Sequence, residues 1–238
     1  MNVLITGDSH TAALKNGQNL LISHGEWPQH IDLTVKPLGS AEFFPTPFFV
    51  DKGDYAEINN VEFCKRFKQF PPADHKNSSI IYGFSGLFHT AGIRRHPAWT
   101  KFAPAHLIRD ESPVSNTLLR RTIQDRTQYL LKFVDIILRT TDRLFVIEAP
   151  KPFRHAKALQ TIRPEVISYI DGYYRELVKL ELKARNIPII ALGSECYDEA
   201  GFMHEQYRHA NNKDQHHGNA EYGRIMMKKI LDFIINQY

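Results

Sequence analysis

The sequence predicts an α/β fold, a single domain built as a three-layer α/β/α sandwich around a central parallel sheet. Three observations carry this. Short apolar runs rich in β-branched residues recur along the chain, segments of helical periodicity separate them, and no Gly/Ser/Pro-rich linker, charge block or internal repeat divides the 238 residues. Strands that alternate with helices need crossover connections, which are right-handed and cover both faces of a parallel sheet.

The first strand is read at residues 3–6, and the apolar residues Ala12, Ala13 and Leu14 open a helix after it. A second strand at 31–37 alternates imperfectly, whereas the runs at 79–82, 144–148 and 187–192 have the unbroken apolar character of strands buried on both faces. Between them, Leu118, Leu119, Ile123, Tyr129, Leu130, Phe133, Val134 and Ile137 recur at helical spacing over 116–140. Similar patterns cover 165–185 and 220–236. The stretch AEFFPTPFFVDKGDY after Gly39 is expected to be a long loop that packs its own aromatic rings against the core, in preference to a lid.

Composition narrows the function classes. With 42% hydrophobic and 24% charged residues, the chain reads as an ordinary soluble globular protein. The net charge of +4 is spread over basic residues interleaved with acidic ones, which argues against a nucleic-acid partner. No apolar run is long enough for a membrane span, and no cleaved signal is expected. Cys64 and Cys196 lack CxxC spacing and read as reduced thiols, so a cytoplasmic location is expected. No Walker or GxGxxG sequence follows a strand, which leaves nucleotide cofactors without a motif.

Open parallel sheets bind ligands at the carboxyl ends of their strands, so the residues after each strand are the informative ones. Gly7, Asp8 and Ser9 follow the first strand and sit at a strand-to-helix turn. A serine there can aim its hydroxyl into the crevice while its backbone N–H faces a developing oxyanion; the alternative is that Asp8 or Ser9 caps the helix. A serine hydroxyl needs a base. Asp214 and His217, separated by two residues in the polar loop before the last helix, offer one, because a carboxylate on Nδ1 fixes the tautomer and leaves Nε2 as acceptor. His216 and His10 have no acid at the matching offset, so His217 ranks first and His216 is read as lining the entrance. His204, His209, Asp214, His216 and His217 form a histidine-rich segment, but it lacks HExxH spacing and a second cluster, so the reading includes no metal and no cofactor. Lys151, Arg154 and His155 follow the fourth strand, available to an anionic or sugar substrate or to solvent, and His89 is read as a solvated loop histidine.

Gly7-Asp8-Ser9 near the start, together with Asp214-x-x-His217 before the final helix, resembles the SGNH/GDSL hydrolases. The resemblance implies a flavodoxin-like three-layer fold and ester hydrolysis through an acyl-enzyme. Ser9 would be the nucleophile, His217 the general base and Asp214 its orienting acid. Two further family blocks complete the oxyanion hole with a Gly N–H and an Asn side chain. Gly39 stands for the first; for the Gly-x-Asn of the second the chain offers Gly83, with Ser85 at the asparagine position. Serine is shorter and donates one proton where asparagine donates two, and losing such a donor costs about 3 kcal/mol of transition-state stabilisation. The implied partner is a small acyl ester or an O-acetylated carbohydrate, with no cofactor. The alternatives are an O-acyltransferase using the same three residues and a low-activity binding or scaffold module on the same fold.

Overall fold

The computed structural model describes residues 1–75, 79–211 and 213–238. Five parallel strands, β1 (Asn2–Gly7), β2 (Asp32–Val35), β3 (Ile81–Ser85), β4 (Leu144–Ile147) and β5 (Ile189–Ile190), form one sheet in the order β5-β4-β3-β1-β2. The chain lays β2 on one side of β1 and then returns to lay β3 on the other. The crevice between the carboxyl ends of β1 and β3 is therefore the switch point where ligands bind in sheets of this kind.

Side chains alternate across the sheet and feed two separate cores. Leu4, Tyr82, Phe84, Leu144 and Val146 join one, and Val3, Ile5, Ile81, Phe145 and Ile147 the other. The first core is closed by α2 (Asn116–Leu138) and α3 (Pro164–Ala184), through residues such as Ile123, Leu130, Phe133, Ile170 and Val178. On the opposite face α1 (Thr11–Ser23) and α4 (Ala220–Gln237) supply Leu14, Leu21, Met226, Met227, Ile230 and Ile234. Each fully buried side chain of this size contributes about 1.5–3 kcal/mol relative to exposure, which is why both faces need cover. Helix ends follow local chemistry. Ser115 Oγ accepts from the Leu118 N–H at 3.2 Å to start α2, Pro164 occupies the first turn of α3, and Asn219 caps α4 through the Tyr222 N–H at 2.9 Å.

Two expectations need correction. The third strand, read at 79–82, runs over Ile81–Ser85, so Gly83 and Ser85 lie inside it and not after it. Gly83 is tolerated there because the space a Cβ would fill is taken by the Phe145 ring, at 2.7 Å, and by Ile5. The aromatic segment after Gly39 is also not one long loop. It holds a short 3-10 turn (Ala41–Phe43) and the first strand of an antiparallel sheet, Phe49–Asp51, Ala56–Ile58 and Gln69–Phe70. Its rings do pack inward. Phe44 and Phe48 are buried among Phe63, Phe84 and Phe133, with Phe48 and Phe133 centroids 5.4 Å apart. Among the described residues no helix is long and apolar enough to cross a membrane.

Candidate active site

β1 ends against β3 so closely that only glycine fits. Gly7 has φ 155°, and a Cβ there would lie 1.8 Å from the Ser85 carbonyl oxygen. The next N–H, that of Asp8, donates to the same carbonyl at 2.8 Å and fixes the direction of the turn. The Asp8 carboxylate is fully buried; Oδ1 accepts from the His10 N–H at 2.8 Å and Oδ2 meets His89 Nδ1 at 3.1 Å. Thr11 donates from both N–H and hydroxyl to the Asp8 carbonyl. Asp8 thus builds the turn ahead of α1, and the helix has no side-chain cap at its first residue. The capping alternative does not use Ser9, whose side chain is free for another partner.

That partner is His217. Ser9 is exposed, and its Oγ lies 2.6 Å from His217 Nε2. On the other side of the ring, Nδ1 is 2.7 Å from Asp214 Oδ2. A carboxylate only accepts, so Nδ1 carries the proton, Nε2 presents its lone pair, and the serine hydroxyl donates to it. The second Asp214 oxygen takes the backbone N–H groups of His217 at 3.0 Å and His216 at 3.2 Å. Burial pushes the Asp214 carboxyl up, but these two N–H donors and the imidazole outweigh it and hold the group down at about 2. Asp214 is a permanent anion at neutral pH.

The loop carrying this pair is fastened at several points. The His209 N–H donates to the His217 carbonyl at 3.1 Å, the Asn219 N–H to the Tyr207 carbonyl at 2.8 Å, and Asn219 Nδ2 to the Gln206 carbonyl at 2.8 Å. From the loop after β4, His155 Nε2 sits 3.1 Å from the Asp214 carbonyl oxygen, where a ring N–H donates to it. Of its neighbours, Arg154 pairs with Asp198 at 2.6 Å and Lys151 lies over the Tyr197 ring, so this trio is engaged in holding loops together.

Of the residues predicted from sequence, Ser9, Asp214 and His217 come together. Gly39 lies beside them without a positive φ, and its N–H reaches the Gly7 carbonyl at 3.3 Å, which the Leu38 N–H already occupies at 2.7 Å. Glycine is required at 39 because the Phe63 ring stands 2.1 Å from where a Cβ would be. Gly83 is in the middle of β3, paired with Ile5 and Phe145, and so supplies no group to the crevice. Ser85 is buried at the end of β3, paired with Gly7, and gives its carbonyl to Asp8.

Two residues to which no role fell from sequence are part of this neighbourhood. His10 is buried against the His217 ring, with centroids 4.8 Å apart, and His89 reaches Asp8 from the loop after β3. His89 has no neighbour in sequence that would announce it, whereas His10 directly follows Gly7-Asp8-Ser9 but has no acid at the matching offset. Of the histidine set singled out from sequence, His209, His216 and His217 gather around Asp214, at 3.8, 3.8 and 2.7 Å, but the set as a whole does not converge as metal ligands. Among the described residues the groups that do are His10 with His216 and His217, and Asp8 with His10 and His89.

No family model and no curated protein sequence matches the chain. Among solved structures, an extracellular lipase from Streptomyces rimosus is similar over 98% of this chain and 99% of its own, at a TM-score of 0.51 and 10% sequence identity. A GDSL-like lipase from Bacteroides thetaiotaomicron matches at a TM-score of 0.47 and 11% identity, over 99% of this chain and 88% of that one. A carbohydrate acetylesterase family member from Sinorhizobium meliloti matches at 0.46 and 11%, over 98% and 96%. The likeness to the Streptomyces lipase establishes the fold that the sequence resemblance implied, an α/β sandwich on a parallel sheet.

Proposed function

We propose that this chain is a serine ester hydrolase acting on small acyl esters, O-acetylated carbohydrate among them, through an acyl-enzyme. The observation that carries the reading is the hydrogen-bonded line from Ser9 Oγ to His217 Nε2, 2.6 Å, and from His217 Nδ1 to Asp214, 2.7 Å. In this reading Ser9 attacks the ester carbonyl as His217 takes its proton, and Asp214 stabilises the imidazolium that forms. His217 then protonates the departing alkoxide and later activates the water that releases the acid. Among the described residues nothing accepts from the Ser9 N–H, which makes it the first oxyanion donor. The Gly39 N–H, loosely held at 3.3 Å, is the second. No metal or cofactor enters this sequence of steps.

A second reading, a binding module with low turnover, draws on Ser85, a shorter side chain with a single donor, standing at the position where the family carries asparagine. One missing donor costs on the order of a hundredfold in rate and does not abolish catalysis. The test is hydrolysis of p-nitrophenyl acetate together with covalent labelling by a fluorophosphonate. Wild type should turn over the ester and label at Ser9, and Ser9→Ala and His217→Ala should each lose roughly a thousandfold or more. A wild type that neither hydrolyses nor labels rejects the hydrolase in favour of the binding module; turnover unchanged in Ser9→Ala rejects the nucleophile. Transfer of the acyl group to an added sugar in preference to water would turn the assignment to an acyltransferase.

A further inference from the structure

Four imidazoles from three separate parts of the chain meet at the carboxyl end of the sheet. His10 comes from the turn before α1, His89 from the loop after β3, and His216 and His217 from the loop before α4. The His10 ring lies 5.2 Å from His89, 5.6 Å from His216 and 4.8 Å from His217, and the His216 and His217 rings are 3.9 Å apart, all between centroids. One ring nitrogen of each of His10, His216 and His217 lies within 4.8 Å of the other two. Among the described residues, Nδ1 of His10 and Nδ1 of His216 are buried without a hydrogen-bond partner, and His10 is only 4% exposed. A buried nitrogen left in that state is costly.

We propose that His10, His216 and His217 form a binding site for a divalent transition-metal ion of the zinc class, and that an ion seated there takes His217 away from Ser9. An all-imidazole set without a carboxylate cage selects zinc, nickel or copper over magnesium or calcium. Zinc–nitrogen bonds of about 2.0–2.1 Å at tetrahedral angles place the nitrogens about 3.4 Å apart, and rotation of the half-buried His216 ring supplies that closure. The lone pair of His217 Nε2, which accepts the Ser9 hydroxyl hydrogen, is donated to the ion instead. Ser9 keeps its proton and loses its base, and no covalent bond breaks. Asp214 on Nδ1–H orients the ring for the metal as it does for the serine, because the contact that raises the basicity of an imidazole also improves it as a ligand. Binding of the ion stands independently of the hydrolase reading; the block of Ser9 rests on it.

The experiment uses the full chain, stripped with EDTA and dialysed against Zn2+, with metal per chain measured and Co2+ as a spectroscopic substitute. Wild type should take up one ion and show the visible bands of tetrahedral cobalt. His216→Gln and His10→Asn should each weaken uptake by more than roughly a hundredfold, beyond the range that loss of an outer partner costs. Zn2+ should slow fluorophosphonate labelling of Ser9, and EDTA should restore it. Failure of wild type to take up stoichiometric metal overturns the site, as does uptake that His216→Gln retains; that variant, in a loop and outside the core, decides the matter even where His10→Asn does not fold. Bound zinc with labelling undiminished overturns the competition for His217. Zinc uptake through these residues in a protein that never labels supports the metal site and rejects the hydrolase.

Discussion

Two carboxylates orient two imidazoles here, and one of the pairs reaches the serine. Asp8 holds His89 from within the protein, and Asp214 holds His217, whose far nitrogen meets Ser9. Asp214→Asn tests what the second contact contributes. An asparagine that turns its NH2 toward Nδ1 forces the ring proton to Nε2, where it faces the serine hydroxyl as a donor and cannot accept. We expect a fall of about 10³–10⁴-fold in kcat for p-nitrophenyl acetate and a matching fall in fluorophosphonate labelling, with the circular dichroism spectrum unchanged. A rate within tenfold of wild type would mean that Asp214 does not set the tautomer. Ser9, Asp214 and His217 were legible in the sequence because each lies at the border of an element, in a short run of residues unsuited to a core. His10 and His89 were not. His10 adjoins the Gly7-Asp8-Ser9 run but has no acid at the offset of a base, His89 is a single histidine in a loop, and their association exists only once β1, β3 and the last loop are side by side.

At the scale of elements, the meeting of the chain's two ends depends on how closely α1 and α4 pack. α1 starts at Thr11, just after Ser9, and α4 at Ala220, just after His217. They touch backbone to backbone: a Cβ on Gly223 would lie 1.7 Å from the Ala13 carbonyl oxygen, and one on Gly17 would lie 2.1 Å from the Gly223 carbonyl carbon. Gly223→Ala must push the helices apart. It should destabilise the protein by about 3 kcal/mol in urea unfolding and lower kcat, since the Ser9–His217 contact widens. Gly172→Ala in α3 is the control, with nothing within 4 Å of the added carbon; it should stabilise by about 0.5–1 kcal/mol. Equal effects from the two substitutions would show that helix propensity and not close approach governs both. The long helices were readable within a few residues because apolar side chains repeat over many turns in α2, α3 and α4. Strands of two or three residues, such as Ala56–Ile58 and Gln69–Phe70, contain too little of any period to be read, and Gly83 inside β3 was mistaken for its end.

For the molecule as a whole, a buried ionic network beneath the crevice joins the helical layer to the loops after β3 and β4. Arg94, Glu148, Asp171 and Arg175 are each 5% exposed or less. Asp171 on α3 receives Arg175 Nε at 2.7 Å, Arg94 Nη1 at 3.0 Å and the Thr90 hydroxyl, while Arg175 also donates to the carbonyls of Ala149 and Pro150 at 3.1 Å. Burial pushes the Asp171 carboxyl up, but the two guanidinium groups outweigh it and hold it below its ordinary value of 3.8. Removing the Asp171 charge leaves Arg94 buried without its carboxylate and Arg175 with Glu148 alone, so Asp171→Asn should cost about 3–5 kcal/mol near neutral pH. The pH dependence has a definite sign. Because the folded group stays ionised where the unfolded one is protonated, the unfolded state binds more protons below 3.8, and the stabilisation is lost as pH falls through the folded value. Urea midpoints of wild type and Asp171→Asn should therefore differ by a constant amount between about pH 7 and 5 and converge below about 4. A gap of the same size at pH 3 would show that the variant fails for reasons of packing, and that the charge of Asp171 does not bind α3 to the floor of the crevice.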